Sequence, residues 1–140
     1  MSVYDRLQSA LEERLEAFPN MPDGGVAHEN VQFQPPTPST PWIRASFIPV
    51  ASSRRTLGVN GLSRIDGLFS LWIYYPLGQG SSESSIVADS LIVWFKSGTR
   101  LESGGEVVTI LSAARGQSGV QDAWWITPVT VSWYSHTGKV

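Results

Sequence analysis

The sequence predicts an α+β fold: a mostly antiparallel β-sheet with two helices packed on one face, and a long loop between the second and third strands. Three observations predict it. Two stretches, 2–18 and 86–97, repeat apolar residues at helical spacing. Two others, 65–75 and 124–134, alternate as strands do. The order of elements is helix, three strands, helix, two strands, without the strand–helix alternation of a parallel sheet. At 140 residues with no internal repeat, the chain is expected to form one domain, 1–140.

The first helix opens on Ser2, with Asp5 three residues on as a weaker form of the capping box. Val3, Leu7, Ala10, Leu11, Leu15 and Phe18 form its apolar stripe, and Asp5, Ser9, Glu12, Glu13 and Glu16 its polar face. Arg14 lies inside the stripe. Such an arginine either snorkels out along its stem or meets a carboxylate on another subunit. Pro19 stops the helix, and a turn-rich exit runs to Gly25.

An extended piece, Glu29–Gln34, is closed by Pro35, Pro36, Pro38 and Pro41, which remove four donors and leave a stiff connector. Trp42–Val50 reads as a strand. The polar, glycine-bearing run Ala51–Arg64 is too long for a tight hairpin. Ile65–Tyr75 is the strongest strand. Phe69, Leu71, Ile73 and Tyr75 point one way, and Leu68, Trp72 and Tyr74 the other. A strand apolar on both faces is covered on both, one cover being a helix and the other a second layer or another chain.

Pro76–Ser85 is a loop ending in serine caps. The second helix, Ile86–Ser97, places Val87, Leu91, Trp94 and Phe95 on its main stripe, with Ile86 and Val93 nearly opposite. Two apolar patches on one helix touch two things. Gly98 ends it. Glu106–Leu111 is a strand, Ser112–Gln121 a small-residue loop, and Trp124–Tyr134 the last strand, in which Pro128 implies a sheet edge or a bulge.

Composition narrows the function. Hydrophobic residues at 41% and charged residues at 16% exclude a disordered chain. The absence of cysteine excludes disulfides, thiolate metal sites and a cysteine nucleophile. A net charge of −2 is not that of a general nucleic-acid binder. No apolar run approaches the roughly 18 residues of a membrane span. The first residues lack the layout of a secretory signal, so a soluble protein kept in a cytoplasm is expected. Six Trp, and eight Arg against two Lys, are the bias of a protein that buries surface against partners, or else of a Trp-rich core in a GC-rich genome.

Catalytic chemistry is not legible. His28 and His136 are the only histidines, and each reads as a solvated surface residue. No HExxH, GxSxG or phosphate-loop motif occurs. Gly78–Gly80 and Gly104–Gly105 read as turns, and Arg54–Arg55 as an exposed basic pair. No metal and no cofactor is specified.

The ordered set of segments resembles the phage tail terminator family. It is carried by VYDRLQSALEERLEAF ending in proline, HENVQFQPPTPSTPWIRASFIP, LGVNGLSR, RIDGLFSLWIYYPLGQG, the IVADSLIVWF helix and the closing WWITPVTVSWYSH. The resemblance spans essentially the whole chain and departs at Ser132, where a proline is expected. It implies a structural virion protein, not an enzyme. Such a protein forms a homohexameric ring on the head-proximal end of the tail tube, ends tube polymerisation, and offers the joining surface to the head–tail connector or stopper. Its implied partners are other copies of itself, the major tail tube protein and that connector. DNA passes through the lumen without specific binding, and assembly takes place in the host cytoplasm.

A ring contact of head-to-tail type pairs different patches. The acidic row Asp5, Glu12, Glu13 and Glu16, together with Arg14, would meet a basic patch drawn from Arg44, Arg54, Arg55 and Arg64. Ile86 and Val93 supply an apolar contact. Leu57, Val59 and Leu62 would anchor the long loop on a neighbour or on the tube. The alternatives are a head–tail connector or head-completion protein, a tube protein, and a small α+β enzyme or ligand-binding domain with Asp66 or Asp89 as its polar group.

Overall fold

The computed structural model describes residues 2–29, 40–54, 63–78 and 81–138, with the backbone alone at 53 and 54. The elements run α1 (Val3–Glu16), β1 (Val26–Ala27), β2 (Trp42–Arg54), β3 (Ser63–Pro76), α2 (Ser82–Trp94), β4 (Arg100–Ser103), β5 (Glu106–Arg115), β6 (Gly119–Gln121) and β7 (Trp124–Thr137). The strands form one sheet in the order β1-β2-β3-β7-β5-β4, with β6 also on β7. β3 occupies one edge of β7 along its whole length, so β5 and β6 lie end to end along the other.

The expected fold class is corrected. The described residues are 50% strand and 23% helix, so the fold is mostly β, and the sheet is mixed and curled; it is not the expected mostly antiparallel sheet with helices packed on one face. β1 runs parallel to β2, while the other pairs are antiparallel. α1 packs by β4 and β5, and α2 by β7, β3 and β5.

Strand length explains most of the difference. β2, β3 and β7 have 13 or 14 residues each. Their distal ends pair as Ser52 with Ile65, Arg54 with Ser63, and Ser63 with Thr137. These ends are largely polar. Backbone hydrogen bonds, not apolar alternation, hold them in the ladder, so the expected loop of 51–64 is strand at 51–54 and at 63–64, while 55–62 lie outside the described residues. β4 and β6 escape the sequence for the same reason: β4 alternates exposed with half-buried, and all three residues of β6 are exposed. The turn joining β4 to β5 uses Gly104 and Gly105 at φ 57° and 88°, the double positive φ of a tight hairpin. The extended piece expected at 29–34 lies outside the described residues beyond Glu29, and the strand of this region is β1.

Pro128 is not at a sheet edge; it sits in β7, between β3 and the β5–β6 side. Its carbonyl accepts the Gly116 N–H at 2.9 Å. A strand residue points its nitrogen and its carbonyl oxygen to the same side. The missing donor therefore faces the gap between β5 and β6, and the pairing with Trp72 of β3 loses nothing.

One core cluster joins Leu7, Leu11 and Leu15 of α1, Val87 and Leu91 of α2 with Phe95 just past it, Ile65, Phe69, Leu71, Ile73 and Tyr75 of β3, and Val129, Val131 and Trp133 of β7. Trp133 is fully buried in it and stacks on Phe47 at 5.3 Å. Gly67 makes this placement possible. A Cβ there would stand 2.3 Å from the Trp133 indole and 2.8 Å from the Ile48 carbonyl. The glycine serves close packing in mid-strand.

Candidate assembly surface

On α1 the acidic row divides. Asp5 is used locally: it accepts the Ser2 N–H at 3.1 Å, and its own N–H donates to the Ser2 hydroxyl at 3.2 Å, which completes the capping box. The Ser2 backbone N–H first, and the Ser2 hydroxyl next, hold the Asp5 carboxyl below its usual value. Glu12 and Glu16, one helical turn apart, hold His28 between them. Its Nδ1 lies 3.1 Å from Glu12 and its Nε2 2.5 Å from Glu16. This histidine is thus a tie between α1 and the end of β1, a role that sequence spacing does not reveal. Glu13 is exposed and has no ion pair among the described residues.

Arg14 turns inward to α2. Its Nε and Nη2 donate to the Trp94 carbonyl at 3.3 and 2.9 Å, and its guanidinium lies 3.7 Å from the centre of the Trp94 ring. The Trp94 indole N–H donates back to the Arg14 carbonyl at 2.7 Å. The arginine supplies a cation at the carbonyl end of α2, where the helix dipole favours one. The two helices are clamped by partners 80 residues apart in the chain.

Among the described residues the opposite side of α2 has no such partner. Ile86 is 61% and Val93 70% exposed. They lie about 10 Å apart along one helix face. With Phe18, Pro19, Asn20 and Trp94 they line an open groove of about 450 Å³, and Asp89 and Ser90 stand between them. Asp89 makes an exposed ion pair with Arg115 at 3.6 Å.

The outer face of the sheet is the second apolar surface. At one end Trp42 stacks on Tyr74 at 4.0 Å, and the Trp124 ring meets both edge-on at about 6 Å. Arg44 is exposed, 5.9 Å from the Trp42 and Tyr74 rings. Across the strands Arg44 pairs in register with Trp72, and Ile48 with Leu68. Ile48 is 36% exposed, and Leu68 and Trp72 are half-buried. Arg64 is bound to Asp66 at 2.9 Å and covers the Tyr134 ring at 4.3 Å. Asp66 is thus engaged on the strand surface.

Of the residues expected at a subunit contact, Ile86, Val93, Glu13 and Arg44 stand outward without a strong internal partner among the described residues. Asp5, Glu12, Glu16, Arg14 and Arg64 are engaged within the subunit. Arg54 ends β2. Arg55, Leu57, Val59 and Leu62 lie outside the described residues. Ile48 of β2 and Leu68 of β3 also face outward, and for Leu68 the two-faced pattern of β3 carries the signal. Among the described residues no group of three or more acidic or histidine side chains could hold a metal ion, and no helix is long and apolar enough to cross a membrane. Burial, with Glu83 and Asp23 nearby, pushes the Tyr75 phenol above its usual value.

Comparison with known proteins agrees with this architecture of helices and curled sheet. A solved structure matches with a TM-score of 0.75 and 26% identity, over 98% of this chain and 97% of its own. Ten solved chains match in all. No curated protein matches the sequence. The family model described as phage tail terminator protein matches residues 6–133. The chain therefore belongs to the phage tail terminator family and is a structural component of the virion tail.

Proposed function

We propose that this protein forms a homohexameric ring on the head-proximal end of the tail tube. The ring stops addition of further tube subunits and presents a joining surface to the head–tail connector or stopper. Its role is structural and not catalytic, and assembly takes place in the host cytoplasm. Membership of the terminator family carries this reading. Two outward apolar surfaces support it: the Ile86–Val93 face of α2 and the Ile48–Leu68–Trp72 face of the sheet. Each gains from a neighbour that removes it from water. DNA passes through the lumen without specific binding, in keeping with a net charge of −2, since a strongly basic wall would hold its phosphates.

The subunit contact is partly electrostatic. Exposed pairs such as one between Glu13 and Arg44 contribute about 0–1 kcal/mol each, so the ring loosens as salt rises without dissolving. The decisive experiment is deletion of the gene from its phage. Tails then grow past their set length and fail to join heads, and the wild-type gene restores both. In intact virions, sixfold density of this protein is expected at the head-proximal end of the tail. Deletion tails of normal length that still join heads would overturn the reading.

A further inference from the structure

We infer that the ring closes by helix-on-sheet packing: the Ile86–Val93 face of α2 in one copy lies on the outer sheet face around Ile48, Leu68 and Trp72 of the next. This rests on the ring reading above and adds which surfaces meet. The occupant of each surface is a second copy of this chain.

Three observations carry it. First, among the described residues each surface lacks the layer that its other side possesses. α2 buries Val87, Ala88 and Leu91 against the sheet but leaves Ile86 and Val93 in water. β3 buries Ile65, Phe69, Leu71 and Ile73 under the helices but leaves Leu68 and Trp72 half-covered. Stacking the bare helix face on the bare sheet face supplies both missing layers at once. Because the two patches differ, the contact is head-to-tail and propagates around a ring.

Second, the spacings agree. Ile86 and Val93 are seven residues apart on a helix, about 10 Å. Leu68 and Trp72 are four residues apart on a strand, about 13 Å. Two helix knobs can therefore seat beside two apolar sheet residues, with Ser70 and its register partner Ser46, whose hydroxyl donates to Glu29, between them.

Third, the charges are complementary. The helix layer presents Glu13 and Asp89 to solvent, Asp89 sharing Arg115 at 3.6 Å. The sheet face presents Arg44, while Arg64 is bound by Asp66 and the Glu29 carboxylate at the β2 edge accepts from the Ser46 hydroxyl and from the Phe47 N–H at 2.9 Å. A carboxylate of one copy reaching Arg44 of the next fixes which way the helix lies.

The chain has no cysteine, so engineered pairs report cleanly. Ile48→Cys and Val93→Cys are introduced singly and together, and the protein is oxidised at high concentration and in assembled tails. The double variant should give a ladder of covalent oligomers ending in a closed ring, and each single variant should stay monomeric on a denaturing gel. Val93→Asp, at an exposed position, should leave the fold and melting temperature unchanged while abolishing both oligomers and tail completion. If the protein forms rings but the double variant does not cross-link, or if Val93→Cys alone links to itself, the helix-on-sheet contact is wrong and the ring reading stands. A protein that remains monomeric even in tails overturns both.

Discussion

The two helices make opposite use of the same length of chain. α1 buries one stripe, Val3, Leu7, Ala10, Leu11 and Leu15, and turns a polar face outward. Its start is fixed by a complete capping box, and two of its carboxylates hold His28. α2 is nearly as long and buries Ser84, Val87, Ala88 and Leu91. Its Ser81 N-cap makes no side-chain capping bond, and Ile86 and Val93 are left in water. The first helix is completed inside the subunit. The second depends on tertiary contacts for its stability and leaves an apolar pair exposed, the face that we propose a neighbouring copy covers. Amphipathicity thus separates a helix that only builds the core from one that also offers a surface.

The comparison can be broken most forcefully at the shared core. Leu11→Ala and Leu91→Ala each empty a fully buried site, one per helix. Each should cost about 2–5 kcal/mol in chemical denaturation. Equal losses mean that the inward faces are equivalent and that the difference between the helices lies only outside. A loss under 1 kcal/mol at Leu91 would mean that α2 is not part of the folded unit.

Next comes the clamp. Arg14→Ala removes two hydrogen bonds to the Trp94 carbonyl and the stacking on its ring. We expect a loss of about 2 kcal/mol, from one charge-assisted bonding site and a cation–π contact. Arg14→Lys should recover less than half, because a point charge cannot place two donors and a flat face together. Full rescue by lysine would reduce the clamp to charge alone.

The capping residues sharpen the contrast at smaller scale. Ser2→Ala should destabilise by about 1 kcal/mol, whereas Ser81→Ala, with no side-chain cap to lose, should stay within about 0.5 kcal/mol. The same box gives a pH signature. The folded Asp5 carboxyl lies below its ordinary value of 3.8, held there first by the Ser2 backbone bond and then by its hydroxyl. Its contribution is therefore complete above that ordinary value and is lost as pH falls through the lower folded value. Carboxyl NMR titration should show Asp5 moving partway back up in Ser2→Ala, while the backbone bond persists. No movement would remove the hydroxyl from the account.

The smallest expected effect on the monomer is at the outer face of α2. Ile86→Asp and Val93→Asp should alter stability by no more than about 0.5 kcal/mol, as exposed substitutions do. A large loss would show that this face packs within the subunit and would erase the difference between the helices.

Much of this molecule is legible from local pattern. The apolar stripe of α1, the box at Ser2 and Asp5, the alternation of β3 and the two patches of α2 all stand in the sequence, because each depends on residues within a few positions. The family likeness is legible as well, in ordered segments spanning the chain. The contact candidates are legible only in part. Ile86 and Val93 stand outward as their spacing requires, but Arg14, Glu12 and Glu16 are taken up by Trp94 and His28, partners that no periodicity announces.

The sequence by itself determined the inward faces of both helices, the two-sided character of β3 and the family. These follow from side-chain spacing along a single element. Tertiary structure alone decided the mixed, curled sheet, the length of β2, β3 and β7, the place of Pro128 between β5 and β6, and the need for Gly67 under Trp133. Each of these depends on which backbone groups meet across the sheet, or on how much room an indole leaves opposite a strand. Such terms couple residues as far apart as Arg14 and Trp94, and a chain read in order shows the two partners without the contact that joins them.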